Sequence, residues 1–435
     1  MPVGPAAAPS AVELTALRRR TTAVLVASQI LGGLGVATAI ALASVLAEEV
    51  SGSEGLSGLA MTSSVLGTAV LSLPLAALMA ARGRRPGLVL AYLVGAVGGG
   101  VVILAAVAGS FPLLLFGMAA FGAGSCANLQ ARFAAADLAE PHRRGRAIST
   151  VVWATTVGAV LGPNIAAPAG RSVSGLGVPE AAGPFLWGTG VFLLAAVLVL
   201  VLLRPDPLLT ARALAAGSPS AAPAGPGPAA PGAVEDRSLR AGLAAVAASP
   251  HARLALVAVS CAHTVMVSIM VMTPVDLGHH GADIELIGLV ISGHIAGMYA
   301  FSPLMGRLSD RFGRTAVIWL GVALLAAAAL LAGTAGGDHL RSAAGLFLLG
   351  LGWSAGLVAG SALLTDSVPQ AARAAVQGLS DLSMNAAAAA GGALAGLVVA
   401  RAGYGWLNAL GAALLVPIAV LALLARSHRT APDDR

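Results

Sequence analysis

The sequence predicts an all-α polytopic membrane protein: twelve membrane-spanning helices in two six-helix halves. Three observations carry this. The chain of 435 residues is 57% hydrophobic and only 10% charged, whereas a water-soluble domain carries roughly a quarter charged residues. Its mean hydropathy is +0.87, and its apolar runs reach the length of about 20 residues that a helix needs to cross a bilayer. A Pro-, Ala- and Gly-rich stretch also divides it near the middle.

The spans are read at about 21–47, 57–80, 87–109, 111–136, 146–168 and 184–203, then 253–276, 284–305, 315–335, 342–365, 374–400 and 405–425. The first follows Arg18–Arg20 and is too long for a signal-peptide core. This divides the chain into an N-terminal half (1–204), a linker (205–252) and a C-terminal half (253–435). The linker string SPSAAPAGPGPAAPGAVEDR has no periodic apolar face and is expected to be flexible.

All 25 basic side chains are arginine, and with twelve spans they sort by side. Arg18–Arg20, Arg82, Arg84, Arg85, Arg143, Arg144, Arg146, Arg204, Arg307, Arg311, Arg314, Arg373 and Arg426 fall on one side, and Arg171, Arg341 and Arg401 on the other. The crowded side is expected to be cytoplasmic, with both termini on it. This placement accounts for the basic balance without a nucleic-acid partner. Cys126 and Cys261 lie in apolar runs and form no disulfide framework. No nucleophile–base set, phosphate loop or paired carboxylates stand where an enzyme would need them, so transport is the expected class.

After the eighth span stands GRLSDRFGR, Gly306–Arg314. Asp310 amid Arg307, Arg311 and Arg314 can form charge-assisted bonds and can sit at a neighbouring helix N-terminus. The equivalent loop of the first half, Ala76–Arg85, keeps Gly83 and Arg84 but has Ala80 in place of the acid, and the fifth span carries GAVLGP, Gly158–Pro163. These strings resemble the signature loop and the G-x-x-x-G-P helix motif of the major facilitator superfamily. The resemblance covers the whole chain. It implies that fold, a conformational latch at Gly306, Asp310, Arg311, Gly313 and Arg314, and a helix-packing motif at Gly158, Gly162 and Pro163. Proton-coupled drug exporters of the superfamily usually carry an arginine where this chain has Met118 in MAAFGAG, which argues against ordinary drug/proton antiport.

In the seventh span MVSIM places Met266 and Met270 four residues apart, and in the eighth HIAGM does the same for His294 and Met298. Residues at i and i+4 share one face of a helix. Met266 and His294 each lie about 14 residues from the turn near 280, roughly 21 Å at 1.5 Å per residue, so the pairs are expected at matching depth on facing helices. Thioether and imidazole suit Cu(I), and neutral donors bind without the cost of a buried carboxylate. Met is also a common gap-filler, so the case rests on the combination. His263 shares the stripe with Met266 and is a further ligand candidate. The pattern is similar to the CcoA-like copper importers, the CalT family, whose M-x-x-x-M and H-x-x-x-M motifs match Met266, Met270, His294 and Met298. That resemblance implies copper as transported substrate, release toward cytoplasmic copper acceptors, and no prosthetic group; the chain is expected to be a monomer in the bilayer. The alternative is a carrier of an organic solute, a drug or a vitamin-like compound.

Two weaker features complete the reading. His279 and His280, with Glu48, Glu49 and Glu54, could gather cations at the outer mouth. Asp381 is a carboxylate for proton coupling or for a latch with Arg373 or a loop arginine.

Overall fold

A chain crossing hydrocarbon must satisfy its backbone hydrogen bonds internally, and a helix does so within one segment. The computed structural model describes residues 11–427 apart from 54–55, 57, 174, 176 and 217–238, and the apolar runs are helices throughout. The first half contains α1 (Ala11–Ser51), α2 (Gly58–Arg82), α3 (Arg84–Ala108), α4 (Phe111–Asp137), α5 (Arg144–Arg171) and α6 (Gly183–Leu202). The second contains α9 (Pro250–His279), α10 (Ile284–Ile295), α11 (Ser302–Phe312), α12 (Arg314–Gly333), α13 (His339–Asp366), α14 (Arg373–Ala402), α15 (Tyr404–Ala413) and α16 (Val416–Ser427). Here α10 and α11 together make the eighth span, joined by a π-turn over Ala296–Ala300, and α15 and α16 make the twelfth.

Among the described residues, 11 helical segments are long and apolar enough to cross a membrane. The fifth expected span, α5, is 28 residues long but richer in polar residues. It belongs to the bundle through close packing on α1. A Cβ added to Gly158 would stand 2.4 Å from the Gly33 backbone, and one on Gly162 2.9 Å from the Thr38 nitrogen. The glycines of GAVLGP are what let these two helices touch. Pro163 is helical, and its side chain lies outside the described residues.

The linker expectation is corrected at both ends. Pro207–Ala216 is a helix, α7, and Leu239–Ala248 another, α8. Leu208 and Val246 are buried. Asp206 explains the first: it accepts from the Leu208 and Leu209 amides at 3.0 and 3.2 Å, capping α7, and from the Arg85 amide at 2.7 Å, which docks that cap on the N-terminus of α3. Residues 217–238 lie outside the described residues.

Each half centres on its own apolar core, that of the second also taking in Ala136, Ile148 and Val152 of the first. The halves meet along two seams, α2 against α14 and α5 against α11. Both seams are glycine-lined: a Cβ on Gly378 would lie 2.6 Å from that of Ala76, and one on Gly306 2.6 Å from the Gly145 carbonyl.

Candidate functional site

The arginine-rich loops converge at one end of the bundle. Arg18 donates to Leu138 O at 2.9 Å and to Glu140 at 2.6 Å. That bond holds the half-buried Glu140 carboxyl below its ordinary range, so the contact survives further into the acid range than an unpaired carboxylate's charge would. Asp310 accepts from the Gly145 and Arg146 amides at 3.0 and 2.8 Å. A carboxylate from the second half thus caps the N-terminus of α5 in the first, where the helix dipole favours negative charge. Arg314 binds Asp310 in its own half and reaches across to Pro141 O at 2.6 Å. Asp366 bridges Arg144 and Arg314. Gly313 has φ 92°, a conformation that favours glycine, and it positions Arg314 at the start of α12. One expected member stands apart: Arg311 is exposed and stacks on Phe312, 5.3 Å from the ring centroid.

The first half repeats this arrangement with different chemistry. Gly83 also has a positive φ, 95°. Arg84 follows it and binds Asp137 at 2.7 Å, as Arg314 binds Asp366. Arg84 is fully buried and bonds Gln130 of α4 at 3.0 Å and Gln377 of α14 at 2.6 Å. Further along α4, Arg132 forms an ion pair with Asp381 of α14 at 2.7 Å, the two side chains 2% and 0% exposed. Gln130 donates to the other Asp381 oxygen at 2.7 Å. The partner of Asp381 is therefore an arginine inside the fourth span, which corrects the expected pairing with Arg373 or a loop arginine. Sequence reasoning missed Arg132 because it lies only five residues from the end of α4 and reads as part of the boundary. A lone arginine in an otherwise apolar run was the available signal.

The soft-donor residues lie on the two spans that flank α13. His294 is 0% exposed, and its Nδ1 lies 2.8 Å from Leu346 O on α13. A carbonyl only accepts, so Nδ1 carries the proton and Nε2 bears the lone pair. Nε2 is buried and has no hydrogen-bond partner. Met298, one turn on and inside the π-turn, is 6% exposed. Gly350 lets this turn approach: a Cβ there would meet His294 O at 2.3 Å and the Met298 amide at 2.8 Å.

On α9, Met266 is 3% exposed and Met270 half-buried. By helical spacing both share the face carrying Val259 and Ala262, the residues that Gly360 and Gly356 of α13 approach. The expectation of two directly facing helices is thus corrected: α13 packs against both α9 and the α10–π-turn segment, which touch each other little.

His263, the further ligand candidate, is also held by α13. Trp353 of α13 donates its indole N–H to His263 Nδ1 at 2.8 Å. An indole can only donate, so the lone pair of the neutral imidazole is occupied in this state. At the opposite end of the bundle, the His280 ring is bonded to Asp276 O at 2.8 Å, and Glu54 lies outside the described residues.

The family model described as Major Facilitator Superfamily matches residues 25–279 and 254–435. The chain belongs to that superfamily. The MFS-type transporter YddS of Bacillus subtilis (strain 168) is 38% identical, the match covering 93% of this chain and 91% of YddS. The riboflavin transporter RfnT of Brucella anthropi is 29% identical, covering 95% of this chain and 96% of RfnT. Among solved structures, the human organic anion transporter MFSD10 (TETRAN) superposes with a TM-score of 0.69 at 18% identity, over 93% of this chain and 99% of that one. These matches show a multi-pass membrane transporter of the major facilitator fold.

Proposed function

We propose that this major facilitator carries copper, as Cu(I), across the cytoplasmic membrane into the cytoplasm. The single observation that carries the reading is His294. Its Nδ1–H is fixed on a backbone carbonyl and its Nε2 lone pair is sealed from water without a partner. Metal-ligating histidines are oriented in this way, by a carbonyl on the other ring nitrogen. Leaving a buried acceptor unsatisfied costs about 1–3 kcal/mol, and a soft cation would remove that cost. Met298 supplies a thioether on the same segment, and Met266 and Met270 supply two more on α9, which flanks the same helix α13.

Neutral donors fit a carrier, since they bind Cu(I) without trapping it in fixed charge. In this proposal the halves rock about the seams α2–α14 and α5–α11. The contacts of Asp310, Arg314 and Arg144 are the latch that holds the cytoplasmic side shut and must open for release. The test is copper accumulation, measured by mass spectrometry of cells expressing the chain. Met266→Ala and His294→Ala should each return accumulation to background at unchanged protein level. Accumulation equal to the unsubstituted chain sinks the proposal.

A second reading is an organic solute, favoured by the 29% identity with the riboflavin transporter RfnT over 95% of the chain. Its discriminator is riboflavin uptake by a riboflavin-requiring host. If the chain supports growth there and His294→Ala leaves that growth unchanged, the cargo is organic.

A further inference from the structure

Trp353 sits between the two spans that bear the soft donors. Its indole N–H is 2.8 Å from His263 Nδ1, and the two rings are 6.0 Å apart. Its other side meets Tyr299 edge-on, with centroids 5.5 Å apart and planes at 81°. Tyr299 follows Met298 within the π-turn, an irregularity found frequently at functional sites. His263 stands three residues before Met266, on the same stripe of α9. One buried tryptophan, 4% exposed, thus touches the helix of each donor pair.

We propose that Trp353 masks His263: its indole N–H occupies the imidazole lone pair in this closed state and withholds a copper ligand that becomes available when α9 turns away from α13. The inference rests on the copper reading and adds to it a switch in ligand number. With Trp353 in place the metal meets thioethers and His294. Once the indole hydrogen bond breaks, a second imidazole joins on α9. A ligand gained when α9 parts from α13, a rearrangement within the second half distinct from the rocking of the halves, draws the ion from the α10 side toward α9 and gives a path between the two pairs.

The test uses the purified full chain in detergent, with Cu(I) titrated anaerobically against a chromogenic chelator. Trp353→Phe keeps an aromatic ring and removes the donor. It should tighten Cu(I) binding roughly three- to tenfold, about the worth of one net hydrogen bond that the metal no longer has to displace. In a His263→Ala background the same substitution should leave affinity unchanged. The mask is overturned if Trp353→Phe alone changes nothing, or if it tightens binding equally without His263. If the unsubstituted chain binds no Cu(I), or His294→Ala binds as tightly as it does, the copper reading falls and the mask with it. Should Trp353→Phe fail to fold, the ¹⁵N resonance of His263 in the unsubstituted chain, assigned by its loss in His263→Ala, decides. A hydrogen-bonded, unprotonated Nδ1 supports the mask, and a protonated Nδ1 overturns it.

Discussion

A guanidinium and a carboxylate sealed inside a membrane bundle are stable there only while they remain together. Arg132 and Asp381 meet at 2.7 Å, Arg132 lies 4.6 Å from the Phe133 ring centroid, and its Nε has no hydrogen-bond partner. The pair is therefore well sealed but not fully satisfied. Removing one partner strands a buried charge, which costs about 3–5 kcal/mol, whereas replacing both by apolar residues of similar size is often neutral. Arg132→Leu should therefore lower the thermal unfolding midpoint in detergent sharply, and Arg132→Leu with Asp381→Leu should restore most of the loss. An additive double variant would show that the two side chains are not coupled.

At the scale of elements, glycine decides where helices touch. α5 lies on α1 because Gly158 offers no Cβ to a backbone that would be 2.4 Å away. Gly190 on α6 is also helical, yet a Cβ there meets nothing within 4 Å. The same substitution should have opposite signs at the two sites. Gly158→Ala is expected to destabilise by about 1–3 kcal/mol through overpacking. Gly190→Ala should stabilise by about 0.5–1 kcal/mol, the helix preference of Ala over Gly. Thermal unfolding of both variants in one detergent checks this, and a stabilised Gly158→Ala would refute the close α1–α5 contact.

The whole molecule is closed at its arginine-rich end by bonds that cross between halves. At the surface, Asp310 caps α5 and Arg314 reaches Pro141. Deeper, Arg84 reaches Gln377 and Arg132 reaches Asp381. Opening this end must break both layers, so either can bias the balance between conformations. Asp310→Asn keeps the shape and removes the charge. Loss of a charge-assisted bond worth about 1.5–3 kcal/mol should shift the population toward the opened state by about tenfold or more. Pulsed electron-spin distances between labels at His142 and Phe312, both exposed, should lengthen. An unchanged distance distribution would show that the cap does not hold the closed state.

Hydropathy and charge placement are local properties, so the spans, the shared side of the arginine-rich loops and the Gly306–Arg314 signature were legible from residue order. A run such as FLLAAVLVLVL can only be a buried or membrane helix. The spacing of Met266 with Met270 and of His294 with Met298 likewise placed each pair on one helical face. Which partner each side chain meets was not legible, because it depends on how separate helices pack. Arg132 and Asp381 are 249 residues apart in the chain, and nothing in either neighbourhood encodes their meeting. The same holds for α13: its small residues at Gly350, Gly356 and Gly360 let it nest against both α9 and α10. That packing puts Leu346 on His294 and Trp353 on His263. Only the folded bundle brings these groups within hydrogen-bonding reach, since such bonds act over about 3 Å, while sequence pattern reports faces and depths and not neighbours.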